Sequence, residues 1–122
     1  SSPSRGLGDV YKRQASEFYD LALSYSPDDP NLLSQYAENL FLANERSFNE
    51  SVNQAIERAY KADSNQPIIL GLMGVRAYLD NNFEEAIFFW QRGLDNTEKN
   101  DPYYQSYLDG VRKAEEKILM NQ

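Results

Sequence analysis

The chain has 122 residues, 41% of them apolar, with 19 acidic against 12 basic side chains and a net charge of -7. It contains no cysteine and no histidine, which excludes disulfides, thiolate catalysis, zinc clusters and the commonest general base. A mean hydropathy of -0.70 and the absence of any apolar run near the ~20 residues of a bilayer crossing exclude a membrane span within this sequence. An acidic chain repels phosphate backbones, so nucleic acid is excluded as a partner in favour of neutral or basic polypeptides.

The first fourteen residues, SSPSRGLGDVYKRQ, carry Ser, Pro, Gly and basic residues without a helical apolar period. The stretch GLGDVYKRQ resembles a linker-derived tag, so residues 1–14 are expected to be a non-native tail, with a native disordered tail as the alternative, and are set aside from the fold; residues 10–14 could continue the first helix by propensity alone. From Ala15 the small and aromatic residues Ala15, Tyr19 and Ala22 recur at helical spacing up to Pro27. Asp28-Asp29-Pro30 places a capping acid before a proline at the first helical position. Ser47-Phe48-Asn49-Glu50 has the spacing of a capping box. Asn65-Gln66-Pro67, Asn82-Phe83-Glu84-Glu85 and Asp101-Pro102 mark three further starts. These signals predict helices near residues 9–25, 30–44, 48–63, 66–81, 83–96 and 102–120, with no stretch alternating as a strand does. The expected class is all-α with short connections.

The helices repeat. Leu70, Met73, Gly74, Ala86, Trp90 and Gly93 have the large-and-small pattern of a tetratricopeptide (TPR) hairpin, whose period is about 34 residues. Small residues let two helices approach, and large ones fill the space between them. Leu33, Tyr36, Ala37 and Leu40, followed by Val52, Ile56 and Ala59, obey the same scheme. About three extra residues around Asn44–Phe48 lengthen that turn. The predicted organisation is therefore a second helix of a truncated repeat at 15–27, a repeat with an extended turn at 29–65, a repeat at 66–98 and a capping helix at 101–120. Together they would make a short right-handed superhelix. Without a hairpin partner for residues 15–26, Phe18, Tyr19 and Leu23 are expected to be more exposed than in a chain that supplies that partner.

The run DDPNLLSQYAENLFLANERSF, the later AIERAYKADSNQP and the continuation ILGLMGVRAYLDNNFEEAIFFWQRGLD resemble the C-terminal periplasmic TPR domain of cytochrome c biogenesis proteins of the CcmI/CycH type. The extended turn falls in the same repeat as in that family, and NrfG-like nitrite reductase assembly subunits share the layout. The resemblance covers most of residues 15–122. It implies a non-enzymatic module that holds apocytochrome c, chiefly its C-terminal helical segment, and presents it to the haem lyase and other cytochrome c maturation components. It also implies a periplasmic location, tethered to the inner membrane by an anchor to which nothing in this chain corresponds. The alternative is a generic TPR scaffold that assembles another protein complex, including one in the cytoplasm.

A TPR array offers a concave face built from the first helix of each hairpin. Counting along those helices gives Asn31, Ser34, Glu38, Phe41 and Leu42, then Ile68, Gly71, Val75, Tyr78 and Leu79, as groove-facing residues. Ser34 and Gly71 would leave room, an amphipathic helix would lay its anchors on the apolar lining, and Glu38 would read a basic residue. Phe41→Ala, Val75→Asp and Tyr78→Ala are expected to weaken binding more than folding. For Phe41, Val75 and Tyr78 the competing role is packing between repeats. Where chaperone-tail-binding TPRs clamp a terminal carboxylate with Lys, Arg and Asn, this sequence has Ile68, Gly71 and Val75 in one repeat and Glu38 in the other.

No catalytic, cofactor-binding or metal constellation is predicted. The acid pairs Asp28-Asp29, Glu84-Glu85 and Glu115-Glu116 sit about 100° apart on a helix and do not converge, so helix-start and solvated-face roles are expected. Trp90 is expected to be an intra-hairpin core residue. Tyr103, Tyr104 and Tyr107, with Leu108, Val111, Ala114 and Ile118, form the apolar stripe of the capping helix and alternatively border the groove. Residues after Gln14 carry nine basic and eighteen acidic side chains, a net of -9, which attracts lysine-rich polypeptides.

Overall fold

The computed structural model describes residues 3–122, and their side chains from Gly6 onward. Among them are six helices and no strands: α1 (Pro3–Tyr25), α2 (Pro30–Ala43), α3 (Glu50–Ala62), α4 (Pro67–Leu79), α5 (Phe83–Asp95) and α6 (Pro102–Met120). The all-α, TPR-like arrangement of helical hairpins follows the sequence pattern.

Local chemistry sets most of the helix starts. The Asp29 carboxylate accepts from the backbone N–H of Asn31 at 2.9 Å and of Leu32 at 3.1 Å, with Pro30 at the first position of α2. The Gln66 side chain does the same for Ile68 and Ile69 ahead of Pro67, and Asp101 for Tyr103 ahead of Pro102. Each such cap stabilises its helix by about 1 kcal/mol. At α3 the expected capping box is replaced by a single cap. Asn49, not Ser47, accepts from Val52 N–H at 2.9 Å, because the chain is still turning at Ser47, whose hydroxyl donates to the Asn44 carbonyl.

α1 begins at Pro3 and runs without a break across the Gln14 boundary. Its N-terminal part is carried by helix propensity and by cooperativity with the packed end, since Gly6 and Gly8 have no neighbour where a Cβ would stand. Farther along, Leu23 is buried and joins the core of the next hairpin. The reason is the pairing of α1 with α2: one face of α1 is covered by the following repeat. Tyr19 is half-buried beside Tyr36, with ring centroids 6.1 Å apart. Phe18, on another face, is 59% exposed.

The hairpins α2–α3 and α4–α5 stack, and α6 lies along α5. α4 touches α2, α3, α5 and α6, which explains why its residues are apolar nearly all round. One core cluster joins the first hairpin to α4 through Leu33, Ala37, Ile56, Ala59, Ile69 and Leu70. A second joins the second hairpin to α6 through Ala86, Trp90, Tyr107, Val111 and Ala114. Polar ties hold the hairpins in register. Arg76 donates to Asn53 at 2.9 Å and pairs with Glu57 at 3.4 Å, and Gln66 reaches Asn31 at 3.5 Å.

The two inter-helix turns begin alike and then diverge. Arg46 N–H donates to the Phe41 carbonyl, and Asn82 N–H to the Ala77 carbonyl, each at 2.9 Å, the six-to-one bond of a Schellman-type helix end. Glu45 and Asn81 occupy the same left-handed position, with φ of 55° and 62°. After Asn82 the chain enters α5 directly. After Arg46 it passes through Ser47, Phe48 and Asn49 before α3, which is the three-residue extension read from the sequence.

Candidate peptide groove

The first helices of the two hairpins and the final helix enclose an open groove with a cavity of about 290 Å3. α2 and the turn after it contribute Glu38, Phe41, Leu42 and Arg46. α4 contributes Ile68, Gly71, Leu72 and Val75. The third wall is Tyr103, Ser106 and Tyr107 from α6, with Trp90 of α5 at the floor. A second hollow of about 310 Å3 shares Val75, Trp90 and Ser106 with the first and extends to Tyr78, Asp109, Gly110 and Lys113.

Six of the predicted groove residues converge on the first cavity: Glu38, Phe41, Leu42, Ile68, Gly71 and Val75. Tyr78 lines only the second hollow, where it packs on Phe83 and Trp90 with ring centroids 5.3 and 6.0 Å apart. Leu79 borders neither hollow and is 60% exposed. Ser34 is fully buried, and its hydroxyl donates to the Pro30 carbonyl at 2.6 Å, one turn back in its own helix. It leaves no room for a ligand, because α2 turns that face inward. Asn31 bridges the two hairpins through Gln66 instead of facing the groove.

The space at Gly71 is filled by the protein itself. A Cβ there would stand 2.7 Å from the Tyr107 ring, so the missing side chain makes room for α6 rather than for a partner. The Tyr107 hydroxyl donates to the Pro67 carbonyl at 2.5 Å, which anchors α6 to the start of α4. Burial pushes the Tyr107 phenol well above the ordinary tyrosine range. Trp90 is buried among α4, α5 and α6, and its indole N–H donates to the Gly71 carbonyl at 3.2 Å. The intra-hairpin role expected of it holds, with α6 as an additional neighbour.

Tyr103 and Glu38 set the polarity of the rim. The Tyr103 hydroxyl donates toward both oxygens of the Glu38 carboxylate, at 3.1 and 3.2 Å, and its ring stacks on Tyr107 at a centroid distance of 6.1 Å. Burial first, and then the charge of Glu38, push the Tyr103 phenol up to about 12. Among the described residues the ion pairs are Arg76–Glu57 and Arg112–Asp109, and Glu38 is in neither.

Counting along the first helices alone missed Arg46, Leu72, Ser106 and the floor position of Trp90. The α6 wall was signalled by the tyrosines at Tyr103 and Tyr107, one helical turn apart. Arg46 carried no periodic signal, because it belongs to the extended turn.

The stacked hairpins and their open groove define a TPR-like helical-repeat domain. Within that class its likeness is to the CcmI/CycH-type domains, the resemblance read from the residues above. The chain is 26% identical over 117 residues to the cytochrome c-type biogenesis protein CycH of Pseudomonas aeruginosa, a match that covers 92% of this chain and 29% of the length of that protein. The fold is similar to that in the crystal structure of a YfrE protein from Vibrio parahaemolyticus, with a TM-score of 0.56 and 21% identity over 71% of this chain and 94% of the other. No family model matches the sequence.

Proposed function

We propose that this domain is a non-enzymatic holding module in c-type cytochrome maturation. It would receive a helical segment of apocytochrome c in the α2–α4–α6 groove and keep it available for haem attachment. The observation that carries this reading is the groove itself: Phe41, Leu42, Ile68, Leu72 and Val75 form an apolar lining beside the Glu38 carboxylate, which is in no ion pair among the described residues. An amphipathic helix matches such a surface, its apolar face covering the lining and a basic residue meeting Glu38. The likeness to a cytochrome c-type biogenesis protein supports the choice of client. Haem lyase and other maturation components are the expected neighbours, and the expected compartment is the periplasm, beside the inner membrane.

Titration of the domain with labelled peptides from apocytochrome C-terminal helices tests the reading. Saturable binding at micromolar concentration is expected, competed by unlabelled peptide. A well-folded domain that shows no saturable binding sinks the proposal.

A further inference from the structure

Two charges share one wall of the groove. Glu38 lies within α2, and Arg46 lies in the turn that follows the C-terminal end of that helix. The Arg46 side chain makes no hydrogen bond or ion pair among the described residues. Its backbone has a φ of 58°, directly after Glu45 at 55°, so two successive non-glycine residues adopt the left-handed conformation. Each costs on the order of 1 kcal/mol.

The matching turn of the second hairpin does not do this. There Asn81 alone is left-handed, and Asn82, the counterpart of Arg46, leads straight into the helix. The extension frees position 46 from that duty and turns it a second time. Asn44 and Ser47 lock the new path, with Asn44 Nδ2 donating to the Ser47 carbonyl at 3.1 Å and to its hydroxyl at 2.9 Å. Phe48 covers it by packing on Phe41 at a centroid distance of 4.7 Å. The consequence is that an arginine lines the same apolar groove as the Glu38 carboxylate.

We infer that the extended turn makes the groove directional: Glu38 takes a Lys or Arg of the bound helix, and Arg46 takes a carboxylate about two turns toward that helix's C-terminus. The inference rests on the groove reading proposed above. The negative end of the bound helix's dipole favours the same orientation, since its last carbonyls then face Arg46. Arg46 suits a carboxylate because its planar donors fit both oxygens. Tyr103 is a positioning residue, holding the Glu38 carboxylate toward the groove. The carboxylate is that of the chain terminus, the client being a C-terminal segment.

The test is fluorescence anisotropy with a labelled amphipathic peptide of about 14 residues. The parent peptide carries Leu and Phe on one face and one Lys about two turns before a free C-terminus. Glu38→Gln is expected to weaken its binding about fivefold, and to leave a Lys→norleucine peptide unaffected. Arg46→Gln is expected to act likewise on the free acid and not on the C-terminal amide, while Arg46→Lys restores part of the loss. An amidated peptide with Asp in its last turn checks the source: no dependence on Arg46 supports the terminus, and regained dependence overturns it in favour of a side-chain carboxylate. Equal affinity for a peptide with the order of its charges reversed, or no dependence on Arg46 with either carboxylate, overturns the inference. If a neutral apolar version binds and the charges change nothing, the groove reading survives alone. If neither version binds a domain of unchanged circular dichroism, both fail.

Discussion

The indole of Trp90 occupies the space that a Cβ on residue 74 would need, and it also lies against Gly110, where a Cβ would stand 2.8 Å from the ring. α4, α5 and α6 meet at this one side chain, so the indole has no direction in which to retreat. Gly74→Ala is therefore expected to destabilise the domain by about 1–3 kcal/mol, despite the better helix propensity of alanine. Thermal melting checks this, with an expected fall of about 3–15 °C. An unchanged melting temperature would show that the indole yields.

Arg92 ties α5 to the turn that precedes α4. Its guanidinium donates to Asn65 Oδ1 at 2.9 Å, the Tyr60 hydroxyl at 3.1 Å and Ser64 Oγ at 3.0 Å. A lysine has one nitrogen and cannot reach three acceptors at fixed angles. Arg92→Lys is expected to cost about 1–2 kcal/mol in urea unfolding and Arg92→Ala slightly more. Equal stability of Arg92→Lys and the parent would remove the fork from the account.

Alkaline stability follows from the two raised phenols. Tyr103 is pushed from the ordinary value near 10 up to about 12, and Tyr107 moves in the same direction. Below about pH 10 both the folded and the unfolded chain keep these protons, so the stabilisation is fully present. Between about pH 10 and 12 the unfolded chain ionises while the fold holds its protons, and stability falls. The urea midpoint is expected to drop steeply over that window, and less steeply in Tyr103→Phe. The same slope in both proteins would remove Tyr103 from the account.

The groove variants separate by burial. Leu42 is 47% exposed, so Leu42→Asp is expected to abolish most peptide binding while changing stability by about 0.5 kcal/mol or less. Val75→Asp is expected to weaken binding with a moderate loss of stability, since Val75 is half-buried. Phe41 and Tyr78 differ from the expectation drawn along the sequence. Phe41 is 8% exposed and packs on Phe48, and Tyr78 packs on Phe83 and Trp90. Truncating Phe41 is expected to cost about 3–5 kcal/mol of folding free energy. Paired melting and anisotropy measurements on the four variants check the order.

The helices were legible because their signals are local. Asp29-Pro30, Gln66-Pro67 and Asp101-Pro102 start helices through bonds within three residues, and any reader of the chain can place them. The pattern of Gly74, Ala86, Trp90 and Gly93 was likewise sufficient for the hairpin, since small and large residues at helical spacing leave few other ways to pack. Ser34 was misplaced because it lies one turn from Glu38 along α2, and spacing alone does not say which flank of a helix the next hairpin covers.

What the tertiary structure decided is which residues of different helices share the groove. Glu38 and Tyr103 are 65 positions apart in sequence and meet through one hydroxyl. Gly71 reads as an opening until Tyr107 is seen to fill it. Arg46 reads as an ordinary loop residue until the path of the extended turn is known. Periodicity encodes the face a helix buries, because burial of apolar area is roughly proportional to area and needs no particular partner. Contacts such as Glu38–Tyr103 and the placement of Arg46 depend on crossing angles and backbone turns summed over many residues, and those are fixed only when the whole chain packs.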